Sequence, residues 1–387
     1  MLKSHEMNAN EPAWLSEKRK GALELFRKTP MPSFVYGINM KLDFGLDLEN
    51  LDFNDFQEPL REISGKNSGI KIINFNDAIK NNEPVLREKF MSAAKINDKF
   101  SALHYAFLNS LTLIIIPKNF RMKEPLEISS VMKKGILLDH TIIITGENSE
   151  ATIVEDVSSE KGSIYRSRIV EIYAGDNSTV NYGDVQLLDE SAVNYTVKKA
   201  VAGRDSTINW MDCIFGSKIT LSEVTTILEG QGSSTNNHGA FFSANEQQFD
   251  IVTNSIHKAP NTFSDIVTKG AVSGRSKAMY RGLVKIHENA AGSNGYQKED
   301  TLILSSDATS DSIPNLEIGN NDVKCSHGAT IGRIDREKLF YMRSRGLSEQ
   351  EASMEYVKGF FEGLILKIRI QKLRDSMHSL IERKMVQ

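Results

Sequence analysis

The feature that most limits how this chain can fold is a short signature that returns at nearly constant spacing. Gly146-Glu-Asn-Ser149-Glu-Ala-Thr-Ile153 is matched by Gly175-Asp-Asn-Ser178-Thr-Val-Asn-Tyr182 and by Gly203-Arg-Asp-Ser206-Thr-Ile-Asn-Trp210. A fainter copy is Gly230-Gln-Gly-Ser233-Ser-Thr-Asn-Asn237, and the four glycines fall 29, 28 and 27 residues apart. Each copy reads as a turn followed by a strand, with Ala151/Ile153, Val180/Tyr182, Ile208/Trp210 and Thr235/Asn237 on one face. Thr152, Asn181, Asn209 and Asn236 share the other face. One such unit cannot bury its apolar side alone but can bury it by stacking on the next, which is the logic of a solenoid. Stacking also sets the asparagines over one another, so a structural amide ladder is expected. The competing all-β fold, a sandwich, brings its strands every 8 to 12 residues with hairpin signals. The long, regular repeat favours a parallel β-helix.

Three regions follow. Residues 1–101 read as helical and mixed, with an amphipathic helix from Ala13 to Lys28 that opens after Pro12 and ends at Thr29-Pro30, and then acidic, aromatic-dotted segments such as Leu51-Asp52-Phe53. Residues 102–330 form the β-helix core, in which β-branched runs alternate with Gly/Asn/Ser/Asp turns. Residues 331–387 return to helices: Asp335 caps a first one that stops at Gly346, and Ser348-Glu-Gln-Glu351 is a capping box that opens a second.

The chain has 387 residues, long enough for one extended core with flanking pieces. Its 47 basic against 50 acidic residues create no field that draws it to nucleic acid or an anionic membrane. Two cysteines, Cys213 and Cys325, exclude a disulfide framework and point to a reducing, cytoplasmic compartment. The polar start, residues 1–12, carries no secretory signal, and no run approaches the length of a membrane span. Phosphate loops, dinucleotide fingerprints, H-E-x-x-H, paired C-x-x-C and G-x-S-x-G are all missing, so an ATPase or a dehydrogenase is disfavoured and no enzyme is expected. A carboxylate-based polysaccharide lyase or hydrolase, which needs no fixed motif, stays open, as does a purely structural interaction solenoid.

The most suggestive constellation is Lys324-Cys325-Ser326-His327. If the run is extended, Cys325 and His327 leave one face together and offer a sulfur and a nitrogen to one soft metal, with Lys324 helping to keep the thiol deprotonated. C-x-H supplies only two ligands, and a small buried cysteine beside a hydrogen-bonding histidine is the other reading. His238 and His257 are expected to be structural imidazoles, and Cys213 an inert packed thiol.

The long run from Pro314-Asn-Leu-Glu-Ile-Gly through Lys324-Cys-Ser-His-Gly-Ala-Thr330 to Asp335, followed by Leu339-Phe-Tyr-Met-Arg-Ser-Arg-Gly346, resembles the C-terminal signature of the SufB/SufD family. His257-Lys-Ala-Pro-Asn-Thr262, Arg281-Gly282 and Glu11-Pro-Ala-Trp14 extend the similarity over nearly the whole chain. Lys324 to Thr330 is similar to the SufD form, and Gln297-Lys298-Glu299-Asp300 has no cysteine where SufB is expected to hold one. The resemblance implies a right-handed parallel β-helix between helical ends, acting as a non-enzymatic scaffold for iron-sulfur cluster assembly. It implies pairing with a SufB-like subunit, docking of a SufC ABC-type ATPase on the C-terminal helices, and a transient cluster shared with the partner. By motif, His327 and its neighbour Cys325 become the cluster-site residues, and any of Phe340, Tyr341 and Phe361 that faces outward suits the ATPase. A homodimeric hybrid of the two paralogues is the alternative within the family.

Overall fold

The computed structural model describes residues 11–36, 40–51, 56, 60–65, 68–81, 83–368 and 370–386. Met1–Asn10 of the polar start, and Asp52 and Phe53 of the acidic segment, lie outside these. The protein is mainly β, 46% strand against 23% helix, built as a β-solenoid of about eight turns with helices at both ends. Successive strands alternate between two facing sheets, so each strand pairs with the strands two before and two after it, in parallel. Among the described residues each of these sheets has nine strands.

The repeat signature is one corner of this coil. Gly175 sits where a Cβ would come within 2.7 Å of Thr145 O, and at Gly230 a Cβ would meet Arg204 N at 2.1 Å, so stacked turns leave room only for glycine. Asn119, Asn148, Asn177, Asp205 and Asn261 at this corner take φ of 55–60°, the left-handed conformation that short amide and carboxylate side chains tolerate. The serine that follows closes the turn on itself: Ser149, Ser178, Ser206 and Ser233 each donate to the carbonyl of the glycine three residues back at 2.7–2.8 Å.

Register places Asn181 against Thr152 and Asn209, and Asn209 against Asn236. The expected ladder is there: Asn236 donates to Asn209 at 2.7 Å, Asn209 to Asn181 at 2.8 Å, and Asn181 to Thr152 at 3.1 Å. On the inner face, Ala151, Ile153, Val180, Tyr182, Ile208 and Trp210 pack into one buried core. Deeper along the same strands the interior is charged: Arg168 pairs with Asp139 and Glu155, and Lys198 bridges Asp184 and Asp212 at 2.5 and 2.7 Å.

The outer faces are covered differently. The N-terminal helices, including Ala13–Lys28 and Lys99–Phe107, lie with Phe26, Phe90 and Phe100 against Tyr165, Tyr195 and Leu221 of one sheet. Lys99–Phe107 runs across residue 101, so the helical region reaches beyond the limit expected for it. The C-terminal helices Glu349–Ile365 and Gln371–Val386 cover the other sheet through Val357, Phe361, Leu373 and Ile381. Both expected caps form: Asp335 accepts from Glu337 N, and Ser348 and Glu351 complete the capping box.

The two ends of the coil also differ. At the start, the strands Leu60–Ser64 and Lys71–Asn74 lie antiparallel on Leu126–Met132 and Ser110–Ile116 and form the first edge of each sheet. At the finish, the parallel strands Thr309–Ile318 and Lys324–Arg333 each pair on one side only among the described residues, and the last of them is largely exposed. This end is open.

Candidate functional site at the open end of the solenoid

Cys325 and His327 lie in the last strand, Lys324–Arg333, so the extended conformation expected for them is present. The ladder register fixes their direction. Cys325 stands above Gly295 and Ser264, in the inward column that Ala151 begins, and His327 stands above Gln297 and Ile266, in the column of Tyr182 and Trp210. Both therefore belong to the inner face of the sheet, yet no further turn covers them. His327 is exposed and Cys325 half-buried, the latter leaning on the small core of Ile266, Val284 and Ile286. The thiol lies back over Gly295 of the preceding turn, and the side of both groups toward a following turn is left uncovered. Neither is walled in.

The thiol is not activated from within the chain. Burial pushes the Cys325 thiol up, opposed by a hydrogen bond from the Ser326 backbone, and Lys324 plays no part in this balance. The help expected from Lys324 is therefore corrected: alternation sends its ammonium to the opposite face. Among the described residues no three His, Cys, Asp or Glu side chains converge on one point. The pair by itself offers two donors, a sulfur and a nitrogen, fewer than a metal site ordinarily uses.

Beneath the pair lies a feature that the motif search passed over. Gln297 and Glu299 point inward from the strand Asn294–Ile303, and both are fully buried. Burial pushes the Glu299 carboxyl up to about 7, against the hydrogen bond it accepts from Thr301. Gly282 makes room for Gln297, since a Cβ there would lie 1.9 Å from Gln297 Nε2. The signal was present in the sequence as polar residues at alternate positions of an inward-facing strand, but it could be read only once the inner face was known.

The remaining expected residues separate cleanly. Phe340 is 74% and Tyr341 59% exposed on the helix Arg336–Ser344, which has no buried residue. Phe361, expected to serve docking only if it faced outward, does not face outward: it is fully buried and shares a core with Phe215 and Phe242. Cys213 is buried as expected, although it lies on the outer face of its sheet under the C-terminal helices and not in the solenoid interior, and burial holds its thiol well above the ordinary range. His257 is a structural imidazole, bonded at 2.8 Å to both Thr262 and Ser264. His238 has no partner for Nε2, the nearest carboxylate oxygen being that of Asp265 at 3.9 Å.

Residues 128–360, the greater part of the solenoid and the first C-terminal helices, match the family model described as SUF system FeS cluster assembly, SufBD core domain. The chain is 29% identical to the Iron-sulfur cluster assembly SufBD family proteins of Staphylococcus epidermidis and Staphylococcus haemolyticus, over 91% of this chain and 85% of theirs. Similarity to the protein of the same name from Staphylococcus aureus is 28% at the same coverage.

Proposed function

Because the chain belongs to the SufBD family of iron-sulfur cluster assembly proteins, we propose that it is the SufD-like scaffold subunit of an assembly complex and presents Cys325 and His327 to a cluster built at the open end of its solenoid. The observation that carries this reading is the last turn itself. Its two strands each pair on one side only among the described residues, and one of them bears a thiol and an imidazole on its inner face with no further turn above them. Free edges of this kind are surfaces for strand addition. A SufB-like solenoid placed against them would continue both sheets, cover Ile318 and Ile331, which are 44% and 37% exposed, and supply the thiolates this chain lacks. The cluster is cargo here. It is held in transit and not kept.

The second half of the proposal concerns the helix Arg336–Ser344, which hangs from the last strand and buries none of its own residues. Phe340 and Tyr341 are suited to a SufC-like ABC-type ATPase, whose movement would then be passed directly to the strand that bears Cys325 and His327. Co-expression with the candidate ATPase and SufB-like subunit tests this: a complex of the three is the expected result. Failure to associate with either protein, or a chain that forms only a homodimer, would overturn the SufD-like reading.

A further inference from the structure

Inward-facing carboxylates in this solenoid follow a rule. Glu155, Asp184, Asp212, Gly239, Thr268 and Glu299 form one continuous column, each residue directly opposite the next in register. The first three are each met inside the coil by a cation of the chain: Arg168 takes Glu155, and Lys198 takes Asp184 and Asp212. Gly239 and Thr268 carry no charge to be met. Glu299, the last member, is as fully buried as Lys198 but has no lysine, arginine or histidine within ion-pair distance among the described residues.

What surrounds Glu299 in place of a cation is a set of unpartnered polar atoms, most of them oxygens. Glu299 Oε2, both amide atoms of Gln297 and the Ser310 hydroxyl have no hydrogen-bond partner, although Gln297 and Glu299 are completely buried and Ser310 is only 6% exposed. Ser310 and Ser312 face them from the opposite sheet on the strand Thr309–Ile318. Orphaned buried groups of this kind are rare in native interiors, and each is costly unless a ligand or ion meets it. A carboxylate in such surroundings is held as an ion only if a positive charge comes with it.

We propose that this buried polar cluster binds a hard divalent cation, held by the Glu299 carboxylate, the Gln297 side-chain oxygen and serine hydroxyls, with water completing its shell. Oxygen donors and a single carboxylate select ferrous, manganous or magnesium-like ions over soft ones. The cluster lies one turn beneath Cys325 and His327, since Gln297 is opposite His327 and Glu299 opposite Ala329. It therefore places a cation under the position at which the proposed scaffold offers its thiol and imidazole, and it deepens that reading while using different residues.

The test uses the full-length protein and Mn²⁺ as probe, followed by electron paramagnetic resonance and by thermal unfolding. The protein, and equally the Cys325→Ala/His327→Ala variant, is expected to take up one Mn²⁺ and to unfold at higher temperature in its presence. Glu299→Gln keeps the shape and the fold, checked by circular dichroism, and is expected to weaken this binding at least tenfold and to lose the thermal shift. Unchanged Mn²⁺ binding in Glu299→Gln, or none in the parent protein, overturns the proposal. Loss of binding in the Cys325→Ala/His327→Ala variant also overturns it, because the ion would then belong to the exposed pair. Association with the partner subunits is measured separately on the same variants, so that failure of the scaffold reading is not mistaken for failure of the cation site.

Discussion

Asn209 donates its side-chain amide to Asn181 across 2.8 Å and accepts at 2.7 Å from Asn236, so one residue links three successive turns of the coil. Such a ladder fixes register as well as contributing energy, because a one-residue slip would carry every asparagine to the inner face. Replacing Asn209 by Ala removes one bond and leaves the Asn236 amide donor without its acceptor. The expected loss is about 1–2 kcal/mol of stability, read as a lower midpoint in urea with an unchanged slope. A neutral result would mean that the ladder follows from stacking and does not support it.

Lys198 is more demanding. It is 1% exposed and lies between Asp184 and Asp212, so Lys198→Met strands two carboxylates in the interior. Destabilisation of about 3–5 kcal/mol is expected, and adding Asp184→Asn and Asp212→Asn to the same chain should recover much of it. Equilibrium unfolding of the single and triple variants measures both steps. If the triple variant is no more stable than Lys198→Met, the charge account of the interior is wrong.

Stability is also expected to depend on pH through buried imidazoles. His104 contacts Ser167 at 2.8 Å and His140 at 3.3 Å, and burial, with His140 beside it, holds its pKa well below the ordinary value. His257 is lowered to about 4 by burial. Both are neutral in the folded protein, whereas in the unfolded chain they take up protons near pH 6.5. Their contribution is therefore complete above that value and is lost progressively as pH falls below it. The unfolding temperature should drop between pH 7.5 and pH 5, and His104→Gln with His257→Gln should flatten that decline; an equally steep fall in the double variant would rule these groups out.

How much of this was legible in the sequence depends on whether a signal was local. The corner Gly-x-Asn-Ser could be read because its glycine, its left-handed residue and its serine each answer a separate steric or hydrogen-bonding need within four residues. The same corner continues at Pro260-Asn261-Thr262 and at Gly292-Ser293, where the left-handed residue persists and the first glycine does not. Those turns escaped the repeat search because stacking there no longer demands the same residue types. The opposite corner repeats only a left-handed residue, at Ser217, Asn245 and Gly274, with no common glycine and serine framing it. The helix caps at Asp335 and Ser348 were legible for the same local reason as the turn. By contrast, the burial of Phe361 and the inward direction of Glu299 depend on which face of an element meets another, and neither neighbour is close in sequence.

Exposure separates the roles of the C-terminal aromatics. Phe340→Ala and Tyr341→Ala, at side chains 74% and 59% exposed, should leave unfolding nearly unchanged and weaken capture of the ATPase at least tenfold. Phe361→Ala, in the core, should cost about 3–5 kcal/mol of stability. Capture on immobilised ATPase, set beside thermal unfolding, distinguishes the two classes. Full capture by the Phe340→Ala/Tyr341→Ala double variant would move the docking surface elsewhere.

The central claim is that the inward-facing pair at the uncovered last turn takes part in cluster building. Its most direct measurement is anaerobic formation of an iron-sulfur chromophore on the purified complex, comparing the parent chain with Cys325→Ala and His327→Ala at equal complex yield. The account predicts that His327→Ala lowers the chromophore several-fold and that the double variant nearly abolishes it while the subunits still associate. Undiminished cluster formation in the double variant would contradict it.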